Sequence, residues 1–150
     1  MHAGKVWIYY TGTRWRGAHD LFELGDGVRD SIGLATLPLD GFASIEAGPN
    51  PGTLTTKPLV FSGRRLEFNL EASRKGYGTD EATSLRVEIL DADGRPLPGF
   101  SLADSEVASA TQTAGVARWK RGSDLGDLAG RTVRLRFHLR NAKLYAFQFR

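Results

Sequence analysis

Residues 13–20 read TRWRGAHD, and Arg14, Trp15, Arg16, His19 and Asp20 bring together an indole, two guanidinium groups, an imidazole and a carboxylate. Sugar rings present apolar C–H faces that pack on aromatic planes, and their hydroxyls are met by forked or planar hydrogen-bonding groups. That is the chemistry of a carbohydrate-binding loop. Trp15 carries the reading, because it sits among arginines and glycine in no periodic pattern that would bury it. Tyr77, in the glycine-flanked stretch RKGYGTDEAT, and Trp119, beside Lys120, are further candidates of the same kind. Trp119 has a competing role as a core residue, since sandwiches commonly bury tryptophan.

Hydrolysis would need more than binding. Glycoside cleavage takes two carboxylates at a set separation, roughly 5–5.5 Å for retention and 6.5–9.5 Å for inversion. Asp20, Glu23, Asp26 and Asp30 share one stretch, but a loop rich in acids is ordinarily a solvated one, and the chain is expected to be non-catalytic. No serine has nucleophile-elbow surroundings; His2 lies at the chain's start and His138 on a polar strand face. With no cysteine in the sequence, thiol nucleophiles, disulfides and thiolate zinc sites are excluded. Asp91-Ala92-Asp93-Gly94 offers oxygen ligands but lacks the calcium-loop spacing and its closing glutamate, so it reads as a turn. No cofactor is expected, and scattered loop oxygens leave room only for a structural Ca2+.

The last twenty residues, RTVRLRFHLRNAKLYAFQFR, alternate arginine with apolar side chains. Val133, Leu135, Phe137 and Leu139 share one face of a strand, and Arg134, Arg136, His138 and Arg140 the other. A nucleic-acid surface built on these arginines is the weaker reading. Lys and Arg exceed Asp and Glu only by 20 to 17, and no recognisable nucleic-acid module is present. A solvated, salt-bridged face is expected instead, with Glu67, Glu71 and Glu88 on other alternating strands as partners at roughly 0.2–1 kcal/mol per pair. No nucleic-acid partner is expected.

The elements that must position these residues are strands. Val6–Tyr10 and Ser31–Leu37 are β-branched and aromatic runs flanking a polar loop, and Lys57–Phe61, Arg65–Glu71, Ser84–Leu90 and Gly115–Trp119 supply four more. Asp91–Gly94 closes a hairpin-type turn, and Ser123 is placed to cap a single helical turn in GSDLGDLAG. The turn cluster Gly48-Pro49-Asn50-Pro51-Gly52 marks a boundary between an N-terminal β segment, residues 1–48, and a β-sandwich, residues 49–150. The expected fold is all-β, an antiparallel β-sandwich of jelly-roll type. No stretch approaches the roughly 18 apolar residues of a membrane helix, so no membrane partner is expected. MHAGKVWIYYTG lacks a signal-peptide pattern, and the compartment is left open.

Three phrases, PGTLTTKPLVFSGRRLEFNLEAS, SLRVEILDADGRPLPGFSLADSE and VARWKRGSDLGDLAGRTVRLRFHLRNAKLYAFQF, stand in this order. Together they resemble the C-terminal β-sandwich of bacterial five-bladed β-propeller proteins related to glycoside hydrolase family 32. VWIYYTGTRWRGAHD followed by SIGLATLPLDGFASIEAG resembles the last strands of such a propeller. In that family the nucleophile aspartate and acid/base glutamate lie in earlier blades, and no motif here matches them. The resemblance therefore implies an accessory or carbohydrate-binding module, or a fragment of a longer enzyme; the alternative is a structural, self-assembling sandwich with no glycan ligand. Propeller-edge strands without their propeller would expose backbone and aromatic surface, which predicts a homo-oligomer, most simply a twofold dimer.

Overall fold

The computed structural model describes residues 5–13, 30–38, 40–72 and 82–150. Ten strands lie among the described residues: β1 Lys5–Thr13, β2 Asp30–Pro38, β3 Ile45–Ala47, β4 Gly52–Thr55, β5 Leu59–Val60, β6 Leu66–Ala72, β7 Ser84–Leu90, β8 Gln112–Val116, β9 Thr132–Arg140 and β10 Ala142–Phe149. A 3-10 helix spans Gly126–Leu128. Contacts divide the chain into two units, Met1–Leu39 and Asp40–Arg150.

In the larger unit, alternation of apolar and polar side chains builds two antiparallel sheets that bury their apolar faces against each other. The first runs β3-β10-β6-β8. In the second, β9 has β4 and then β5 along one edge and β7 along the other. Moving along the chain, successive strands alternate between the sheets, with β4 and β5 counting as one broken strand. This is the strand order of a jelly roll. The core takes Leu66, Phe68 and Leu70 from β6, Leu85, Val87 and Ile89 from β7, and Val133, Leu135, Phe137 and Leu139 from β9. Each large side chain buried this way contributes about 1.5–3 kcal/mol.

The boundary expected at residue 48 falls elsewhere. Ile45, Glu46 and Ala47 pair with Leu144, Lys143 and Ala142, so β3 belongs to the sandwich. The cluster Gly48–Pro51 is the crossing from the first sheet to the second. The chain crosses back at Asn141, a single residue between β9 and β10 with φ of 47°. Its N–H donates to the Gly48 carbonyl (2.9 Å) and its carbonyl accepts from the Thr83 hydroxyl (3.2 Å). The two crossings are thus bonded to each other.

A complete jelly roll would carry a fourth strand beyond β7, and here two loops and two side chains stand in for it. Leu85 exchanges both backbone bonds with Ala108 (2.8 and 2.9 Å), Ile89 donates to Phe100 O (3.1 Å), and the Ile89 carbonyl accepts from Leu97 N (2.9 Å). Between them, Val87 N–H donates to the Ser105 hydroxyl oxygen and Val87 C=O accepts from the Trp119 indole N–H, both at 2.9 Å. The outer edge of β7 therefore offers no open ladder to another chain.

Some local expectations shift. The strand expected at Gly115–Trp119 is β8, Gln112–Val116, and the one at Lys57–Phe61 shrinks to Leu59–Val60. Asp91–Gly94 is the expected turn, with Gly94 at φ 87° donating to Asp91 O (3.1 Å). Ser123 caps nothing: the 3-10 helix has Leu125 at its N-cap without a side-chain bond. Asp124 does the local work, accepting from Gly126 N (2.9 Å) and from Arg64 Nε (3.1 Å), with Arg64 Nη2 on its second oxygen.

The smaller unit is a hairpin of β1 and β2 in register from Lys5↔Pro38 to Thr13↔Asp30. Trp7, Tyr9, Leu34 and Ile32 fall on one face and Ile8, Tyr10 and Ala35 on the other, so both faces carry apolar side chains. Tyr10 lies opposite Gly33, where any Cβ would enter the tyrosine ring.

Candidate functional site

Arg14, Trp15, Arg16, His19, Asp20 and Tyr77 lie outside the described residues, as do Glu23 and Asp26. Trp119 is described, and its sugar-stacking role is withdrawn. The ring is fully buried, packs edge-on against Phe100 at 5.2 Å between centroids and donates to Val87 O. It is a core residue that completes a sheet edge.

The arginines of β9 do lie on one outward face, and pairing registers complete the set around them. His138 stands between Thr53 on β4 and Arg86 on β7; Arg136 stands between Thr55 and Glu88; Arg140 stands opposite Ser84, and Arg134 opposite Leu90. Residues alternate between faces of a strand, so all of these project from the side of the sheet opposite the core. Among the described residues of β4, β7 and β9, this face carries four arginines, one histidine and the carboxylate of Glu88.

Glu88 organises that array. The residue is 5% exposed, because Leu102 and its neighbours fold over this end of β7 and the Leu102 N–H donates to Oε1 (3.1 Å). Oε2 lies 2.7 Å from His138 Nε2 and 3.5 Å from Arg136 Nη1. Arg136 Nε donates to the Thr55 hydroxyl oxygen (3.2 Å), so two of its edges are fixed. Arg134 Nε donates to Ala92 O (3.1 Å). Arg86 is exposed and makes no ion pair among the described residues. A buried carboxylate needs paired charge and hydrogen bonds, and Glu88 has both.

Glu67 and Glu71, expected to face the β9 arginines, belong to the other sheet. Glu71 accepts from the Tyr145 hydroxyl (2.6 Å) and from Lys143 Nζ (3.2 Å) on β10. The tyrosine bond holds the Glu71 carboxyl below its ordinary range despite partial burial, with Lys143 adding to the effect. Burial and the same carboxylate push the Tyr145 hydroxyl up. Glu67 meets Gln148 Nε2 (3.0 Å) and Arg150 Nε (3.4 Å). With Glu46 opposite Lys143, the carboxylates of the first sheet are met by Lys143 and Arg150 rather than by β9.

A groove of about 350 Å³ runs between β7 and β8, lined by Phe68, Leu85, Val87, Ala114, Val116 and the Ser105–Ala108 segment. The Ser105 hydroxyl there is already committed to Val87. Among the described residues, no three His, Asp or Glu side chains converge as a metal-ligand set. Asp91 of the DADG turn accepts from Arg95 N (2.9 Å), and Asp93 faces Arg95 at 3.8 Å. Compared with protein-family models, with curated proteins and with solved structures, the chain matches none. Fold and face together define an all-β sandwich with a rigid, polar, arginine-rich sheet surface.

Proposed function

We propose that the protein is a non-catalytic, carbohydrate-associated β-sandwich module whose described ligand surface is the outer face of the second sheet. The observation that carries the reading is the array Thr53, Thr55, Arg86, Arg136 and His138, hydroxyls and forked donors set side by side across three strands. Sugar hydroxyls and their substituents are met by such groups, and a sheet holds them without the entropy loss of ordering a loop. The resemblance to the sandwich of family 32-related propeller proteins supports the same reading. Trp15, in the N-terminal segment, is a separate candidate for stacking on a sugar ring.

A binding screen of the purified chain against soluble polysaccharides at moderate salt tests this, with Trp15→Ala and Arg86→Gln alongside. Binding weakened by either variant supports the module and locates its surface. No binding to any glycan overturns it.

The second reading is a self-assembling structural domain, and the hairpin favours it. Tyr9, Tyr10 and Ile32 are 66%, 56% and 79% exposed, and an isolated two-stranded hairpin is marginal in water. Under this reading the chain is a dimer by light scattering at micromolar concentration, and a monomer there counts against it.

A further inference from the structure

We infer that the outer face of the second sheet binds a carboxylate-bearing polysaccharide, a polyuronate, rather than a neutral glycan. This rests on the carbohydrate-binding reading above and names its ligand class.

Arg86, Arg134, Arg136 and Arg140 share the face with His138, and the only acid among its described residues, Glu88, is buried under the Leu102 segment. A polymer approaching the described residues of this face from solvent meets guanidinium edges and threonine hydroxyls, with the Glu88 carboxylate covered. Successive outward residues of β9 stand about 6.6–6.8 Å apart, so Arg134, Arg136, His138 and Arg140 form a linear row suited to repeated negative groups along a chain.

Glu88 is a carboxylate already held by this array, between His138 Nε2 at 2.7 Å and Arg136 Nη1 at 3.5 Å. The fold thus contains a worked instance of how these side chains receive a planar carboxylate. Guanidinium presents parallel N–H donors that match carboxylate geometry, and Arg86 has its own donors unengaged among the described residues. Thr53 and Thr55, on the same face, are placed for ring hydroxyls. Nucleic acid fits less well. Single strands are held by aromatic stacking interleaved with positive charge, and the described residues of this face include no aromatic ring beyond His138.

The experiment titrates the whole chain with polygalacturonate, dextran sulfate, unmodified dextran and poly(U) RNA, each at 50 and 200 mM salt. Polygalacturonate should bind most tightly of the four. Three or four charge contacts at about 0.7 released counterions each lower its affinity roughly 20- to 50-fold between the two salts. Arg86→Gln with Arg134→Gln, which leaves the Glu88 cluster intact, should weaken binding roughly 2- to 30-fold and flatten the salt dependence. Arg65→Gln with Lys120→Gln removes the same net charge elsewhere and should leave binding unchanged. Equal loss in both double variants overturns the site, and tighter binding of dextran sulfate or RNA overturns the ligand class. Salt-indifferent binding of neutral dextran at equal strength refutes this inference while leaving the carbohydrate-binding reading standing. Binding of none of the glycans removes both.

Discussion

Replacing Trp119 with phenylalanine tests whether that ring is an architectural part of the sheet edge. The substitution keeps an aromatic ring beside Phe100 but removes the N–H that Val87 C=O accepts at 2.9 Å. A buried carbonyl left without its donor costs about 1–3 kcal/mol. The smaller ring also leaves a void on the order of 40 Å³, which at about 24 cal/mol per Å³ adds about 1 kcal/mol. The expected loss is about 2–4 kcal/mol, against a total of about 5–15 kcal/mol for a typical domain. With a urea m-value of about 2 kcal/mol per molar, the midpoint falls by about 1–2 M. Trp119 is the only tryptophan after residue 39, so the native fluorescence of the sandwich disappears with it and far-UV circular dichroism is the assay. Ser105→Ala, which strips the acceptor from Val87 N–H, should cost about 1–3 kcal/mol by the same logic. A loss under about 0.5 kcal/mol in Trp119→Phe would refute the account, because Val87 O would then have found another donor or never have been sealed from water.

Other perturbations give separate readings. Glu88→Ala leaves Arg136 and His138 facing each other without a carboxylate and should cost about 1–3 kcal/mol in denaturant unfolding, whereas Glu88→Gln keeps an acceptor for Leu102 N and should lose less. Asn141→Ala should cost about 1–2 kcal/mol more than Asn141→Gly in the same assay, because both lose the side chain and only alanine is strained at a left-handed φ of 47°. Arg64 and the Gly126 N–H hold the Asp124 carboxyl down at about 2, below its ordinary 3.8. A depressed acid stabilises the fold fully above its unfolded value and loses that contribution as pH falls through the folded one. Asp124→Asn should therefore flatten the decline in thermal midpoint between pH 4 and pH 2 while lowering stability at neutral pH.

Much of the sandwich was legible because its central strands alternate. Ser84–Leu90 is β7 to the residue, and the inward set Val133, Leu135, Phe137 and Leu139 is buried as the pattern of β9 requires. β8 was displaced because Gln112–Val116 carries almost no apolar signal: Gly115 stands inward where Phe68 leaves no room for a Cβ. β3 was assigned away from the sandwich because a dense turn cluster follows it, and only its pairing with β10 reveals its sheet. The arginine row could be seen within one strand. Thr53, Thr55 and Arg86 joined it through registers formed by residues far apart in the chain, which no local pattern encodes. Glu88 looked solvated for the same reason, since its cover comes from Leu102, fourteen residues on. The acids matched in prospect to β9 included Glu67 and Glu71, whose partners are on β10.

The single-residue corner at Asn141 has a consequence for the order of folding. It joins β9, the middle of the second sheet, to β10, which lies between β3 and β6 in the first. Each sheet is therefore threaded on a strand that follows all of its partners in the sequence. While the chain is being synthesised, β3, β4, β5 and β7 have no strand to pair with until residues 132–149 emerge, and within the sandwich only β6 and β8 can meet earlier. Pairings of such long sequence separation form slowly, and apolar strands waiting for them are exposed to mispairing. A ribosome that stalls near residue 130 releases a chain with most of the sandwich's strands and neither of its sheets' centres.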